Sequence, residues 1–474
     1  MPIIEQLTTL LTFNQIKKQL ELLTDDDILI QPNLKDIRTA DFAHTATAIS
    51  RGYHAVQRHQ FDLAHLSLGR QNEIVKMSGF EPPVITDIRL ENESAISDRL
   101  IASRLRQAVD EPFDRDQLEA DLQTLYGNEY FERINYRLDG QTLVVSTIGK
   151  SWGTDQLGVN FEIFTDNGVE SGYNLGANFR KSAISDNGAE WFTIVQIGQD
   201  PLARTELYLP IDYRQIFVAE PYIDFRRQAQ NLVEGRDIVS HFNIDSLQVG
   251  ASIGTKLGNV ASLAVGLEQH RGDIDEIVGI DTPTIYFKDN IHYVDFKVDT
   301  LDNLYFPNRG FLTSIQYRDV NPATHGAANF EQLSVEAVNA IPIGAHSLIF
   351  RRDYVRTIGD VSGRQAQGTL GGFLALSGYP DQALVGNNLA YAKLTYLHRM
   401  DSDSIFPVHL PVYVGFSLET GHVWEASRGR DWSDRRSTAA ITVGMDTPFG
   451  PVYFGYGRTD DSQDSFYLRL RRVF

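Results

Sequence analysis

The last two thirds of this chain alternate. Leu247, Val249, Ala251 and Ile253 interleave with Ser246, Gln248, Gly250 and Ser252, and after a Gly258-Asn259 turn Ala261, Leu263, Val265 and Leu267 interleave with Ser262, Ala264, Gly266 and Glu268. Val412, Val414, Phe416 and Leu418 alternate with Tyr413, Gly415, Ser417 and Glu419; Ala439, Ile441, Val443 and Met445 do so with Thr438, Ala440, Thr442 and Gly444. A period of two places one set on each face of a strand. From Trp152 to Phe474 no helical period breaks this pattern.

Two architectures share that period, a soluble β-sandwich and a barrel. The zone is longer than a single sandwich core usually grows. Its second face is rich in Gly, Ser and small polar residues, which suits a wet lumen. The chain also closes on a strand that carries Phe466, Leu468 and Leu470 on one face and ends at Phe474. These features favour a barrel. At ~20 residues per strand plus connection, the zone holds about 16 strands, inside the even-numbered range of transmembrane barrels.

Composition agrees. No run approaches the ~18–20 apolar residues of a membrane helix, but a barrel strand needs only ~9–11, every second one apolar. Twenty Tyr and 26 Phe against four Met and four Trp suit sheets. With 43 basic and 62 acidic residues the net charge is −19, which argues against a nucleic-acid partner. There is no cysteine, hence no disulfide or thiolate metal site. Met1 to Leu11 lack a basic start, and Glu5, Gln6, Thr8 and Thr9 break any apolar core, so this is not a signal peptide. The expectation is a true N-terminus upstream, or a reading frame that is a remnant.

Residues 1–83 read mainly helical. Ile16, Leu20 and Leu23 keep helical spacing, Ile28-Leu29-Ile30 ends at Pro32, and a second helical stretch runs from Thr39 through Phe42, Ile49 and Tyr53 to Leu63. This is too small for a core of its own and reads as the tail of something larger. Residues 84–150 predict one small α+β domain of order β-α-α-β-β. Val84, Thr86, Ile88 and Leu90 alternate, and Ile96, Leu100, Ile101 and Leu105 keep helical spacing. Asp114 with Gln117 is a capping-box signal, for a helix that buries Leu118, Leu122, Leu125 and Tyr126 and stops at Gly127. Strands 131–138 and 141–148 follow, joined by Asp139-Gly140. The expected fold is therefore mainly β: a roughly 16-stranded antiparallel transmembrane barrel (151–474) behind one α+β domain (84–150) and a short helical remnant (1–83).

The small domain resembles a POTRA domain. Its stretch Leu125-Tyr126-Gly127-Asn128-Glu129-Tyr130-Phe131-Glu132-Arg133-Ile134 looks like that family's helix-to-strand junction, and Lys150-Ser151-Trp152-Gly153 leads into the barrel as in single-POTRA proteins. The resemblance implies a periplasmic domain that binds unfolded segments through a sheet edge, by backbone pairing that ignores sequence. The bland alternative is a spacer.

The barrel zone resembles the bacterial surface antigen superfamily, which includes outer-membrane assembly factors and two-partner secretion transporters. Asp302, Asn303, Phe306, Pro307, Arg309 and Gly310, in the run 302–310, look like its strand-turn signature. Leu376-Ser377-Gly378-Tyr379, in the run 371–379, looks like its lumen loop. Glu419, Gly421 and Trp424 resemble a late strand with an inward carboxylate, Asp446 is a second inward acid, and 447–451 resemble the last hairpin. Most of the superfamily puts Arg before the Gly-aromatic pair of that loop, facing inward acids. Ser377 stands there instead, so Glu419 and Asp446 lose their usual partner, and Arg364 is the alternative cation.

Residues 24–34 and 39–42 resemble the C-terminal end of a bacterial patatin-like phospholipase domain. Patatin tail, one POTRA and a barrel together resemble type V secretion proteins of subtype d, a lipase fused to its own transporter. The implied location is the bacterial outer membrane. The implied partners are its lipid, the barrel assembly machinery, and an unfolded or fused passenger segment.

Gly250-Ala251-Ser252-Ile253-Gly254 is a literal G-x-S-x-G, but a nucleophile elbow needs strand, sharp turn and helix, and here the alternation runs straight through. The patatin Ser and Asp motifs are absent from the chain, so no catalytic residue is expected. His270, His292 and His422 read as strand or loop residues, and no cofactor or metal site is expected. The rival readings are a lipolytic enzyme whose hydrolase part lies upstream, and a passive pore or assembly factor.

Overall fold

The computed structural model describes residues 27–34, 45–59, 63, 82–127, 130–151, 153–166, 170–234, 237–258, 260–278, 283–323, 327–359, 368–400, 410–425, 432–447 and 450–472. The expectations for Ile16 to Leu23, for Thr39 to Phe42, and for Asn128, Glu129, Trp152, Asn259, Arg364, Pro448, Phe449 and Phe474 lie outside the described residues. The chain divides into two compact units, residues 1–81 and 82–474. In the first, helix α1 spans Thr45–Arg58 and Arg51 donates to the carbonyl of Asn33 at 3.1 Å. The helical period is present, but Ile49 and Tyr53 are both exposed.

The second unit opens with the α+β domain. The predicted first strand is split at Thr86 into β1 (Val84–Ile85) and β2 (Asp87–Glu93), because the halves take different partners. Strand β1 pairs antiparallel with β3 (Glu111–Pro112), whereas β2 pairs in parallel with β5 (Thr142–Gly149), which also holds β4 (Phe131–Asp139). Helix α2 (Asp98–Arg104) is capped by Ser97, whose hydroxyl accepts from Leu100 N. Helix α3 (Arg115–Gly127) starts with half of the predicted box. Asp114 accepts from Gln117 N at 2.9 Å, while the Asp114 N–H is satisfied by Gln107 instead.

Leu118, Leu122 and Leu125 pack with Ile85, Ile96, Leu100, Ile101, Phe131, Leu143 and Val145 into one core. Each fully buried side chain of this kind contributes roughly 1.5–3 kcal/mol. Tyr126 departs from expectation: it is 55% exposed. One residue on from Leu125 turns ~100° away from the core-facing stripe. The hairpin also shifts by one residue. Asp139 pairs with Thr142, so the loop is Gly140-Gln141, with Gly140 at φ +63.

The barrel follows. Its strands are β6 (Gln156–Asp166), β7 (Glu170–Lys181), β8 (Glu190–Gly198), β9 (Leu202–Pro210), β10 (Phe217–Glu234), β11 (Asp237–Leu257), β12 (Ala261–Val278) and β13 (Ile285–Asp299). Then come β14 (Gly310–Pro322), β15 (Phe330–Ile343), β16 (His346–Gly359), β19 (Asn388–Met400), β20 (Val412–Trp424), β21 (Arg436–Thr447), β22 (Gly450–Thr459) and β23 (Asp464–Arg472). Between β16 and β19 lies a separate ribbon, β17 (Gly368–Leu370) with β18 (Leu384–Gly386).

Each barrel strand pairs antiparallel with its neighbour, β16 pairs directly with β19, and β23 returns to β6. The sheet is one closed ring of sixteen strands, which excludes the sandwich. Closure leaves no sheet edge, so backbone groups are satisfied without water.

The two faces separate as the alternation predicted. Val249, Ile253, Val265, Leu267, Phe416, Leu418, Ile441, Phe454 and Phe466 are exposed outside. Ser246, Ser252, Glu268, Ala440, Ser417 and Glu419 are buried inside. An exposed apolar belt of this extent is a membrane surface. No helix among the described residues is long and apolar enough to cross a membrane.

The α+β domain sits against one rim, called the near rim below. Ser103 Oγ donates to Tyr213 O at 2.8 Å, Arg104 Nη2 to Gln215 Oε1 at 2.6 Å, and Tyr130 OH to Glu190 Oε1 at 2.7 Å.

Candidate functional site

Among the described residues, two connections enter the lumen, one from each rim. From the far rim, residues 371–383 extend beyond the β17–β18 ribbon and fold against the wall built by β19, β20, β22 and β23. The turn chemistry is demanding. Gly371 and Gly372 take φ +124 and +97, and Leu374, Leu376 and Gln382 are also left-handed, at +63, +64 and +55. A non-glycine residue there costs roughly 1–2 kcal/mol. Contacts with the wall offset that cost. Leu376 is fully buried, in a cluster with Leu370, Tyr379, Leu389 and Tyr391.

Glu419 is the polar centre of the seat. It is 3% exposed and accepts from Ser377 N at 2.8 Å, Ser377 Oγ at 2.9 Å, Ser417 Oγ at 2.8 Å and Thr438 Oγ1 at 3.3 Å. Its counter-charge comes from the neighbouring strand: Lys393 Nζ lies 3.2 Å from Glu419 Oε1 and reaches Leu374 O at 3.5 Å. The expected loop arginine is thus replaced by a serine on the loop and a lysine on the wall.

A buried carboxylate needs both a counter-charge and filled lone pairs. Both needs are met. Tyr391 OH donates to Leu374 O, Tyr467 OH to Tyr379 O, and Tyr379 OH to Asp461 Oδ2.

The backbones touch where this happens. A Cβ on Gly457 would lie 2.1 Å from Ser377 O, and one on Gly378 would lie 2.5 Å from Thr459 Cγ2. Glycine is required on both sides of the contact. Asp446 stands apart from it. Its place on β21 is at the near rim, beside the β21–β22 turn, where its N–H donates to Pro411 O at 3.0 Å.

The near-rim turn between β13 and β14 carries the strand-turn residues. Asp302 Oδ1 accepts from Asn308 N and Arg309 N, and Asn303 Oδ1 from Tyr305 N and Phe306 N. Gly310 is at φ +105, and a Cβ there would meet Thr300 O at 2.1 Å. Pro307 is buried and Arg309 exposed. The turn thrusts Phe306 across the lumen. Its ring stacks on Tyr413 of β20 at 4.2 Å and 6°, lies 5.2 Å from Tyr453 of β22, and fills the space over Gly444.

Sequence reasoning singled out Ser377, Gly378, Glu419 and Phe306 but missed Lys393, Tyr391, Thr438, Tyr453, Tyr467 and Gly457. Lys393 had a signal, a cation at an inward position of an alternating strand; the rest had none. Gly250 to Gly254 lie inside β11, with Ser252 paired to Gly266 of β12, so the literal G-x-S-x-G makes no elbow. His270, His292 and His422 are strand residues.

Residues 83–163 match the POTRA family, described as a surface antigen variable number repeat, and residues 163–470 match the Omp85 superfamily domain. BamA from Haemophilus ducreyi, solved without POTRA domains 1–3, is 13% identical with a TM-score of 0.63 over 82% of this chain and 85% of that one. CdiB from Acinetobacter baumannii is 12% identical, TM-score 0.53, over 82% and 74%. CdiB from Escherichia coli is 12% identical, TM-score 0.54, over 82% and 77%. At such identities the likeness is one of fold. No curated protein matches the sequence.

Proposed function

The chain belongs to the Omp85 superfamily, and from that premise we propose that it is the outer-membrane translocator of a patatin-type autotransporter. A closed sixteen-stranded barrel of this superfamily lies in the bacterial outer membrane. In our reading the POTRA domain faces the periplasm and offers a sheet edge to an unfolded segment. The lumen then passes or holds that segment while loop 371–383 serves as its removable plug. The finer assignment of the passenger as a patatin-like lipase draws support from the resemblance of residues 24–42 to the end of that domain.

One observation carries the plug: the loop's seat can be emptied without unpairing a barrel strand, because β16 already pairs with β19 beneath it. Among the described residues, the loop's hydrogen bonds to the wall involve a side chain on at least one side, as in Ser377 N to Glu419.

Expression of the chain behind an export signal tests the reading. A heat-modifiable band in outer-membrane fractions is expected, with residues fused before position 82 becoming accessible to external protease. Protein that stays wholly soluble would sink it. Planar-bilayer conductance with and without residues 368–386 separates a plugged translocator from an open passive pore.

A further inference from the structure

At the seam where the ring closes, Tyr467 of β23 donates to the loop at Tyr379 O, and one guanidinium, that of Arg469, touches both the loop and the opposite strand. Among the described residues β23 and β6 share only six register pairs, Tyr467↔Asp166 to Arg472↔Phe161, whereas β10 and β11 share eighteen. Fewer backbone bonds leave more of the seam's cohesion to side chains. Arg469 of β23 sits opposite Phe164 of β6, with its Cζ 5.4 Å from that ring's centroid. The same Cζ is 5.4 Å from the ring of Phe373, which belongs to the loop. Its Nε lies 3.4 Å from Glu162 Oε1 of β6. A guanidinium can take aromatic faces and a carboxylate together, since rings meet its plane and the acid its edge.

Phe373 is itself held, 5.3 Å from Tyr453 and 5.8 Å from Tyr467. A small cavity of about 20 Å³ lies between Phe164, Phe373, Asp381 and Arg469. We propose that Phe373 and Arg469 form a latch by which the seated loop holds the β6–β23 seam shut, with Arg469 as the positioning residue. Lifting the loop removes one ring from Arg469, and the hold on Phe164 and Glu162 weakens with it. The latch gives the movable plug a second task, and to that extent it rests on the reading above.

Hydrogen exchange of the full chain, folded and heat-modifiable in detergent, tests it. Phe373→Ala is expected to speed exchange of seam amides 161–166 and 467–472 about fivefold, the size of one partly desolvated cation–π contact, with β10 and β11 unchanged. Arg469→Ala should speed it at least as much, since it also removes the Phe164 and Glu162 contacts. Arg469→Lys should retain part of the protection, and Phe373→Ala should add nothing further in the Arg469→Ala background, because its effect runs through that guanidinium. If Phe373→Ala fails to fold, Phe373→Leu keeps the bulk, removes the ring, and carries the same expectation. A freed loop with an unchanged seam, or two variants whose effects add, overturns the latch.

The secretion reading has its own arm. The chain has no cysteine, so Thr165→Cys with Leu468→Cys, partners across the seam, makes the sole thiol pair. Passenger export through an oxidised, locked seam at the reduced rate would count against seam opening in secretion and leave the latch standing.

Discussion

Glu419 is buried with five polar contacts around it, and two of them come from the loop residue Ser377. Removing one member of a buried ion pair strands the other, at about 3–5 kcal/mol. Glu419→Ala is therefore expected to release the loop and raise single-channel conductance, while the barrel remains heat-modifiable. The charge can also be moved back to the loop. Ser377→Arg alone would set two cations on one carboxylate and destabilise the seat, and adding Lys393→Met should restore it. Protection of loop amides from exchange reads both steps, and failure of the second substitution to rescue the first would contradict the assignment of Lys393 as counter-ion.

Outside the membrane, Glu91 of the POTRA sheet shows a pH response with a definite sign. Bidentate bonds from Arg137, then one from Ser146, hold its carboxyl down from the ordinary 4.5 to about 2. A depressed carboxylate adds stability that is complete above its unfolded value and lost as pH falls from about 4.5 toward 2. The pair is exposed, so the effect is small. An NMR titration should place the Glu91 midpoint near 2 and move it up toward 4.5 in Arg137→Gln.

At the scale of elements, the near-rim turn and helix α3 make opposite points about local sequence. Asp302, Asn303 and Gly310 fold the turn by bonds within ten residues, and this much is local chemistry. What the turn is for depends on Phe306, which packs on strands more than a hundred residues further along the chain. Phe306→Ala should cost about 3–5 kcal/mol of local stability, as buried aromatic deletions do. Faster exchange of the β20 and β22 near-rim amides, with β10 and β11 unaffected, is the measurement that checks it.

In α3 the periodic leucines fixed the buried face correctly, while Tyr126 was assigned to it by apolarity alone and is exposed. Leu118→Ala should lower the unfolding midpoint of the POTRA domain by an amount equivalent to about 2–5 kcal/mol, and Tyr126→Ser should leave it nearly unchanged.

For the whole molecule, the strands were legible because their period of two is absolute, and the barrel was favoured because the zone is too long for one sandwich core and its second face is small and polar. Once one face must be apolar and the other small and polar, register is settled along each strand. The interior small residues at Gly250, Ser252 and Gly266 and the outer Val249, Ile253 and Val265 behave as their alternation required. The POTRA element order was readable apart from the two-residue strand β3, since its leucine spacing, Asp114 cap and Gly140 turn are each decided within a few residues. The split of its first strand at Thr86 was not, because that depends on which partner each half finds.

The same division runs through the candidate site. The chain's own pattern determined that the last two thirds form strands, that Glu419 points inward and that Ser377 cannot supply the loop's cation, because each is a matter of period or side-chain chemistry at one position. Only the closed structure decided that Lys393 answers Glu419, that Phe306 crosses to Tyr413 and Tyr453, and that Arg469 bridges loop and seam. Lys393 meets Glu419 through the β19–β20 register, the other contacts join segments that lie far apart in the chain, and no local spacing encodes which distant wall a loop will meet.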